Sequence, residues 1–173
     1  MSEKLATRER PLILDACCGV GDSSRALAVL YPDHWVVGVD KSADRLSRER
    51  AGEDPENLLL IRADLNDFYR LAADAGWRPE RHYILYPNPW PKPAHLKRRW
   101  HGAPVFPSLV ALGGRLELRS NWRIYLEEFG EALSIAGHES RLEPFVAAKP
   151  ITPFERKYRD SGHALWSLIA DLG

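Results

Sequence analysis

A short apolar run at 11–16 (PLILDA) passes directly into a glycine-bearing stretch, CCGVGDSS, and then into a helical pattern. No other feature restricts the fold of this chain more. A continuous apolar run of that length reads as a strand buried on both faces, and such strands belong to parallel sheets. The theme repeats along the chain. Asp22 or Ser23 is placed to cap a helix that reaches about Tyr31. Residues 35–39 (WVVGV) form a second strand, 42–50 a polar helix and 51–57 a turn. Residues 58–61 form a third strand. A helix over 65–75 follows, with Phe68, Leu71 and Ala72 on one face, and then a fourth strand at 82–86 (HYILY).

The second half is patterned differently. Residues 105–112 are helical until Gly113 and Gly114 break the pattern, and 115–119 (RLELR) alternates strictly, as a half-buried strand does. Trp122, Tyr125, Leu126, Phe129 and Leu133 recur at helical spacing and define a long amphipathic helix. A strand near 141–147, a polar loop at 149–163 and a last strand at 165–169 complete the expectation. Strands that alternate with helices argue for an α/β fold, a parallel sheet covered on both faces. Ligands of such sheets bind beyond the carboxyl ends of the strands.

With 173 residues the chain suits a single domain over 1–173 with a sizeable core. The 24 Lys/Arg balance 24 Asp/Glu, which argues against a uniformly basic nucleic-acid binder but allows a local basic patch. Residues 1–10 (MSEKLATRER) lack the apolar stretch of a signal peptide, and no run is long enough to span a bilayer. The two cysteines, Cys17 and Cys18, are adjacent, which is neither a disulfide framework nor, without a Cys or His partner at ligand spacing, a metal site. They read as small packing residues. The expected setting is reducing and cytoplasmic, with no membrane and no metal.

In the strand-to-helix segment 14–24, Gly19 and Gly21 let the backbone pass close to a ligand. Asp40 ends the second strand 19 residues after Gly21, where a carboxylate can accept both hydroxyls of a ribose. Asp64 follows the third strand, where adenine-ring contacts belong. A dinucleotide site requires G-x-G-x-x-G, so that a pyrophosphate can approach the helix N-terminus. Here Cys17 takes the first glycine position, and Asp22 puts negative charge where a phosphate would sit. With Asp15 inside the strand, the charge pattern suits a sulfonium- and amine-bearing nucleoside, S-adenosylmethionine (SAM), better than NAD.

The segment 86–102 (YPNPWPKPAHLKRRWHG) holds four prolines, two tryptophans, four Lys/Arg, two histidines and no acidic residue. Pro87, Pro89, Pro91 and Pro93 occupy alternate positions, each fixing its own φ and restricting the residue before it. Asn88, Trp90 and Lys92 are therefore held with little entropy left to lose on binding. Lys97, Arg98 and Arg99, flanked by Lys92, His95 and His101, form a phosphate-sized cluster with aromatic rings beside it.

"YPNPWPK…HLKRRW" resembles the P-D-P-W-P-K…H-x-K-R-R signature of the bacterial tRNA (guanine-N7-)-methyltransferases. "LDACCGVGDSS", "GVDKS" and "LIRADLNDF" resemble that family's SAM-binding elements. "LGGRLELRSNWRIYLEEF" resembles its strand and T-D-W helix. "ITPFERKYRDSGHALWSL" resembles its T-K-F-E-R-K/R-G…H…W-D-L ending. The similarity covers about residues 11–169 in order. It implies a class I SAM-dependent methyltransferase fold, Rossmann-like, with a mostly parallel seven-stranded sheet and helices on both faces. It also implies SAM as cofactor and tRNA as partner, with methyl transfer to guanine N7.

By the same resemblance, Asp15, Asp40 and Asp64, with the Gly19 and Gly21 turn, fall on cofactor-binding positions. Lys92, Thr152 and Glu155 fall on substrate-binding ones, joined by Arg98 and Arg99 as phosphate contacts. Asn88 falls on the catalytic position and Asn121 on a substrate position, both of which carry aspartate in the family pattern. Asn121 also suits a helix cap before Trp122. Pro153 and Cys17 depart from the pattern as well, and about ten residues precede the first strand where a longer leader is common. These departures leave open a paralogue that methylates another RNA or a small acceptor, and an RNA-binding relict without turnover. The sequence leaves monomer and homodimer open.

Overall fold

A computed structural model describes residues 10–48 and 50–173. Of the polar stretch 1–10, only Arg10 falls within the described residues. Seven strands form one sheet in the order β3-β2-β1-β4-β5-β7-β6. They are β1 (Leu12–Ala16), β2 (Trp35–Asp40), β3 (Leu58–Arg62), β4 (Arg81–Leu85), β5 (Arg115–Ser120), β6 (Ser140–Phe145) and β7 (Leu165–Asp171). Strands β1 to β5 run parallel, and β7 pairs antiparallel with both β5 and β6. The expected mostly parallel sheet is thus present, with β7 the one reversed strand, between β5 and β6.

Among the described residues six α-helices connect the strands: α1 (Asp22–Leu30), α2 (Ala43–Leu46), α3 (Leu65–Asp74), α4 (Phe106–Ala111), α5 (Arg123–Ile135) and α6 (Pro153–Asp160). Alternation along the strands sorts the core into two layers. Leu14, Val37, Ile84, Leu116 and Leu118 face the larger cluster, with Phe68, Tyr69 and Ala72 of α3, Leu109 of α4, and Leu126 and Phe129 of α5. Their strand neighbours Ile13, Val36, Tyr83 and Leu85 face the other way, onto Leu27 and Ala28 of α1. That second face is covered only in part by apolar side chains.

Local chemistry explains where the expected elements shift. Of the segment 42–50, the described residues form only the single helical turn α2, capped by the Ser42 hydroxyl, which accepts from Arg45 N at 3.3 Å. Neither Asp22 nor Ser23 caps α1. Its N-cap is Gly21 in the left-handed region, because Ser23 and Ser24 turn inward instead. The segment 149–163, expected as a loop, contains α6. Thr152 accepts from Glu155 N at 2.9 Å to start that helix, and Pro153 occupies its first turn, where a missing N–H costs nothing. The polar face of α6 hid it from apolar periodicity. Among the described residues no helix is long and apolar enough to cross a membrane.

Candidate active site

The parallel strands bring their carboxyl ends to one edge of the sheet, and two loops leave it from neighbouring strands. The first, residues 17–21, leaves β1. Its backbone is tied to β2: Cys18 N donates to Val39 O at 3.1 Å, and Gly19 N donates to Asp40 Oδ2 at 3.0 Å. Asp40 Oδ1 accepts from Ser42 N at 2.8 Å, and Arg45 approaches Oδ2 at 3.7 Å. Asp40 therefore organises the loops after both strands while each of its oxygens retains acceptor capacity. Gly19 has φ +60, and nothing lies within 4 Å of where its Cβ would project, so the loop leaves open space at that point.

Asp15 lies beneath this loop rather than in it. It has 0% exposure, and its Oδ2 accepts from the hydroxyls of Ser23 and Ser24 at 2.6 Å each, which seats the start of α1 on the sheet. A side chain at Gly38 would clash with Ser24 Oγ, so the glycine in β2 is what permits this approach. Oδ1 of Asp15 is buried with no partner, and burial raises the carboxyl from 3.8 to about 6, against the Ser23 and Ser24 hydrogen bonds. Asp15 offers no surface for contact; what it shapes is the start of α1 behind the loop. Asp64 is exposed and caps α3, accepting from Asn66 N at 2.8 Å. The hydrogen bonds from Asn66 hold its carboxyl below the ordinary range.

Asp22, expected to repel a phosphate, is paired with Arg50 at 2.6 Å, so its charge is compensated. Cys17 adopts φ 61, the left-handed geometry that a glycine would take at that place. Burial pushes its thiol up to about 12 and drives the Cys18 thiol up as well, so both stay protonated and serve packing. A metal finds no group of three His, Cys, Asp or Glu among the described residues.

The second loop, 86–102, leaves β4. Left-handed backbone at Tyr86 (φ 51) and Trp90 (φ 45) brackets the Pro-Asn-Pro turn, and Asn88 Oδ1 accepts from Trp90 N at 3.2 Å. Asn88 is exposed at the tip. Two 3-10 helices, Pro93–Arg98 and Trp100–Gly102, carry the basic cluster. Here neighbouring arginines have opposite fates. Arg98 is exposed, with its guanidinium 4.8 Å over the Trp90 ring, and Lys92 and Lys97 are exposed too.

Arg99, expected to meet phosphate, is instead 6% exposed. It forms an ion pair with Glu128 of α5, donates from Nε to Trp90 O at 3.1 Å and lies 5.2 Å over Trp122. His101 is turned inward to the same Glu128 at 2.9 Å. These two groups anchor the loop, and Lys92, Lys97 and Arg98 are its solvent-exposed cations.

Thr152 and Glu155, expected on the substrate, are likewise structural in placement. Thr152 is the α6 cap described above. Glu155 is 0% exposed: Tyr86 OH donates to its Oε1 at 2.9 Å, Arg119 Nη1 to the same oxygen at 3.1 Å, and Ile151 N to its Oε2 at 2.8 Å. Arg119 also pairs with Glu117 at 2.7 Å and lies 4.2 Å over Phe145. This buried network fastens α6 to β5 and to the root of the 86–102 loop. Asn121 does not cap α5, whose N-cap is Trp122; its amide meets His163 Nδ1 at 3.1 Å.

Sequence inspection missed Tyr86, Arg119 and Glu128 as organisers of the site. For Arg119 the signal was present, since strict alternation in RLELR puts Glu117 and Arg119 on one face. Nothing local showed that α6 covers that face.

Residues 9–168 match the family described as "Putative methyltransferase". The chain belongs to this methyltransferase family. It is 31% identical to a tRNA (guanine-N(7)-)-methyltransferase of Saccharophagus degradans over 96% of this chain and 77% of that one. It is 28% identical to the tRNA (guanine-N(7)-)-methyltransferase of Escherichia coli K12, over 94% of this chain and 72% of that one. Among solved structures, the 16S rRNA methyltransferase KamB superposes with TM-score 0.72 at 17% identity, covering 98% of this chain and 91% of that one. A 16S rRNA (adenine(1408)-N(1))-methyltransferase from Catenulisporales acidiphilia, solved with cosubstrate SAM, superposes at 0.67 with 17% identity, over 98% and 88%. The class I methyltransferase fold is therefore established for this family member.

Proposed function

We propose that this chain transfers a methyl group from SAM to N7 of a guanine in tRNA. The observation that carries the proposal is its 31% identity, across 96% of its length, to a relative of that name. The residues present fit the cofactor. Three carboxylates, Asp15, Asp40 and Asp64, stand at or just beyond the ends of β1, β2 and β3, and open space lies over Gly19. That charge pattern favours a cationic nucleoside over a pyrophosphate. Asp40 would take the ribose hydroxyls, Asp64 and the β3 end would flank the adenine, and the Gly19–Gly21 turn would give backbone access. When bound, SAM supplies a methyl on a positively charged sulfur.

Guanine N7 carries a lone pair and no proton, so no general base is needed at that atom. The work of the protein is alignment, and compensation of the charge that develops on the purine. Asn88 would be the base-facing group of the rigid loop; it is exposed, and its oxygen accepts from Trp90 N. Asn121 stands at the end of β5. Lys92, Lys97 and Arg98 would hold phosphates without reading sequence. Arg99, Thr152 and Glu155 are positioning residues for this machinery.

An amide in place of a carboxylate forgoes a charge-assisted hydrogen bond worth about 1.5–3 kcal/mol, about 10- to 100-fold in rate. Labelled methyl transfer to total tRNA, with strand scission at the product after borohydride and aniline, tests the proposal. Asn88→Asp is expected to raise the rate about tenfold or more. Absence of label from tRNA with both proteins, while SAM binds by calorimetry, would point to a changed acceptor, the reading that Asn88 and Asn121 favour.

A further inference from the structure

α6 carries a ladder of aromatic rings. Phe154 and Tyr158 lie one helical turn apart, their centroids separated by 6.2 Å and their planes inclined by 24°. His163, in the turn that follows, continues the stack on Tyr158 at 5.4 Å and 25°. The three rings are close to parallel, unlike the edge-on pairs that fill the core around Phe68, Tyr69 and Phe129. The ladder is also open to solvent: Phe154 is 49% exposed, and His163 is exposed.

Its position ties it to the acceptor side of the site. Tyr158 approaches Tyr86, two residues before Asn88, at 5.8 Å. His163 holds Asn121 at 3.1 Å. The charges around it are cationic. Lys157 Nζ lies 6.0 Å from the Tyr158 ring. Arg159 is paired with Asp160, but Arg156 and Lys157 are exposed and have no carboxylate partner among the described residues. The acid of the first turn of this helix, Glu155, is buried and already neutralised by Arg119. An apolar protein segment would have no use for these uncompensated cations. A nucleotide uses both features, the π-face of its base on a ring and its phosphate on a cation.

We propose that Phe154, Tyr158 and His163 form a stacking platform for an unpaired nucleobase of the RNA substrate beside the methylated guanine, with Arg156 and Lys157 on its phosphates. The proposal rests on the RNA-methylating reading above and assigns the flanking nucleotide a place on the protein.

The test compares two fluorescein-labelled hexamers by anisotropy, oligoadenylate and an abasic ribose-phosphate chain of equal charge, with saturating adenosylhomocysteine to keep adenine from the cofactor side. Wild type is expected to bind the base-bearing hexamer about tenfold or more tighter than the abasic one. Phe154→Ala and Tyr158→Ala are expected to reduce that preference to about onefold, and Tyr158→Phe to keep it. Should Tyr158→Ala unfold α6, Phe154→Ala and His163→Ala, both at exposed positions, carry the same test. Equal binding of the two hexamers by wild type, or an undiminished preference in Phe154→Ala and His163→Ala, overturns the platform. Methyl transfer to tRNA by a protein without base preference overturns the platform and leaves the enzyme reading intact. Base preference without methyl transfer to tRNA supports an RNA-binding platform and removes the tRNA guanine-N7 reading.

Discussion

The loops that leave β1 and β4 are neighbours at one edge of the sheet, yet they are held in opposite ways. Residues 17–21 are fixed by left-handed backbone at Cys17, Gly19 and Gly21 and by hydrogen bonds to the adjacent strand and its terminal Asp40. Residues 86–102 are stiffened by proline, but their placement comes from charges supplied much later in the chain, the half-buried Glu128 on α5 and the buried Glu155 on α6. The cofactor side is thus shaped by backbone geometry over short range. The acceptor side is shaped by ion pairs between distant elements. Damage to the two sides should differ in kind.

The largest effect should come from the acceptor-side network. Glu155→Ala leaves Arg119 and Tyr86 short of a buried partner. A loss of about 3 kcal/mol or more in unfolding free energy is expected by denaturant titration. A loss under 1 kcal/mol would mean that α6 is not held as described.

Asp15 probes the other side through pH. Its folded-state pKa is raised from 3.8 to about 6 by burial, so the stabilisation it gives is complete below about 3.8 and is lost as pH rises through 6. Asp15→Asn removes that dependence. Between pH 4 and 7 the difference in unfolding free energy should move by about 2–3 kcal/mol in favour of the variant. A constant difference across that range would mean that Asp15 titrates near its ordinary value.

The adjacent arginines separate anchoring from binding. Arg99→Ala is expected to cost about 2 kcal/mol of stability, since it strips Glu128 and the Trp90 carbonyl of their donor. Arg98→Ala should leave stability within about 0.5 kcal/mol and lower the salt slope of tRNA binding by about 1. Equal behaviour of the two variants in both assays would collapse the distinction.

The smallest effect concerns backbone strain. Cys17→Val sets a β-branched residue at φ 61 and should cost about 1–2 kcal/mol, whereas Cys17→Gly stays within about 1 kcal/mol as relieved strain offsets lost packing. Thermal unfolding of the two variants decides it.

Much of the cofactor side was legible because its signals are local. The apolar runs 11–16 and 35–39, the Gly19–Gly21 turn and Asp40 are read directly from spacing, and their strands pair as expected. The helix α6 was not legible, because it is amphipathic only relative to a partner that the sequence does not reveal. Its buried face is built on Glu155, and charge on a short segment ordinarily marks a solvated surface.

By itself, the order of residues determined an alternating α/β chain, a stiff basic loop after the fourth strand and a trio of aspartates near the carboxyl ends of the first three. Those are consequences of side-chain period, proline geometry and turn chemistry, which act within a few residues. Only the tertiary structure decided that Arg98 faces solvent while Arg99 is buried against Glu128, and that Thr152 and Glu155 fasten a helix. The value of a charge depends on what desolvates and pairs it, and those partners come from residues 29 and 36 positions away.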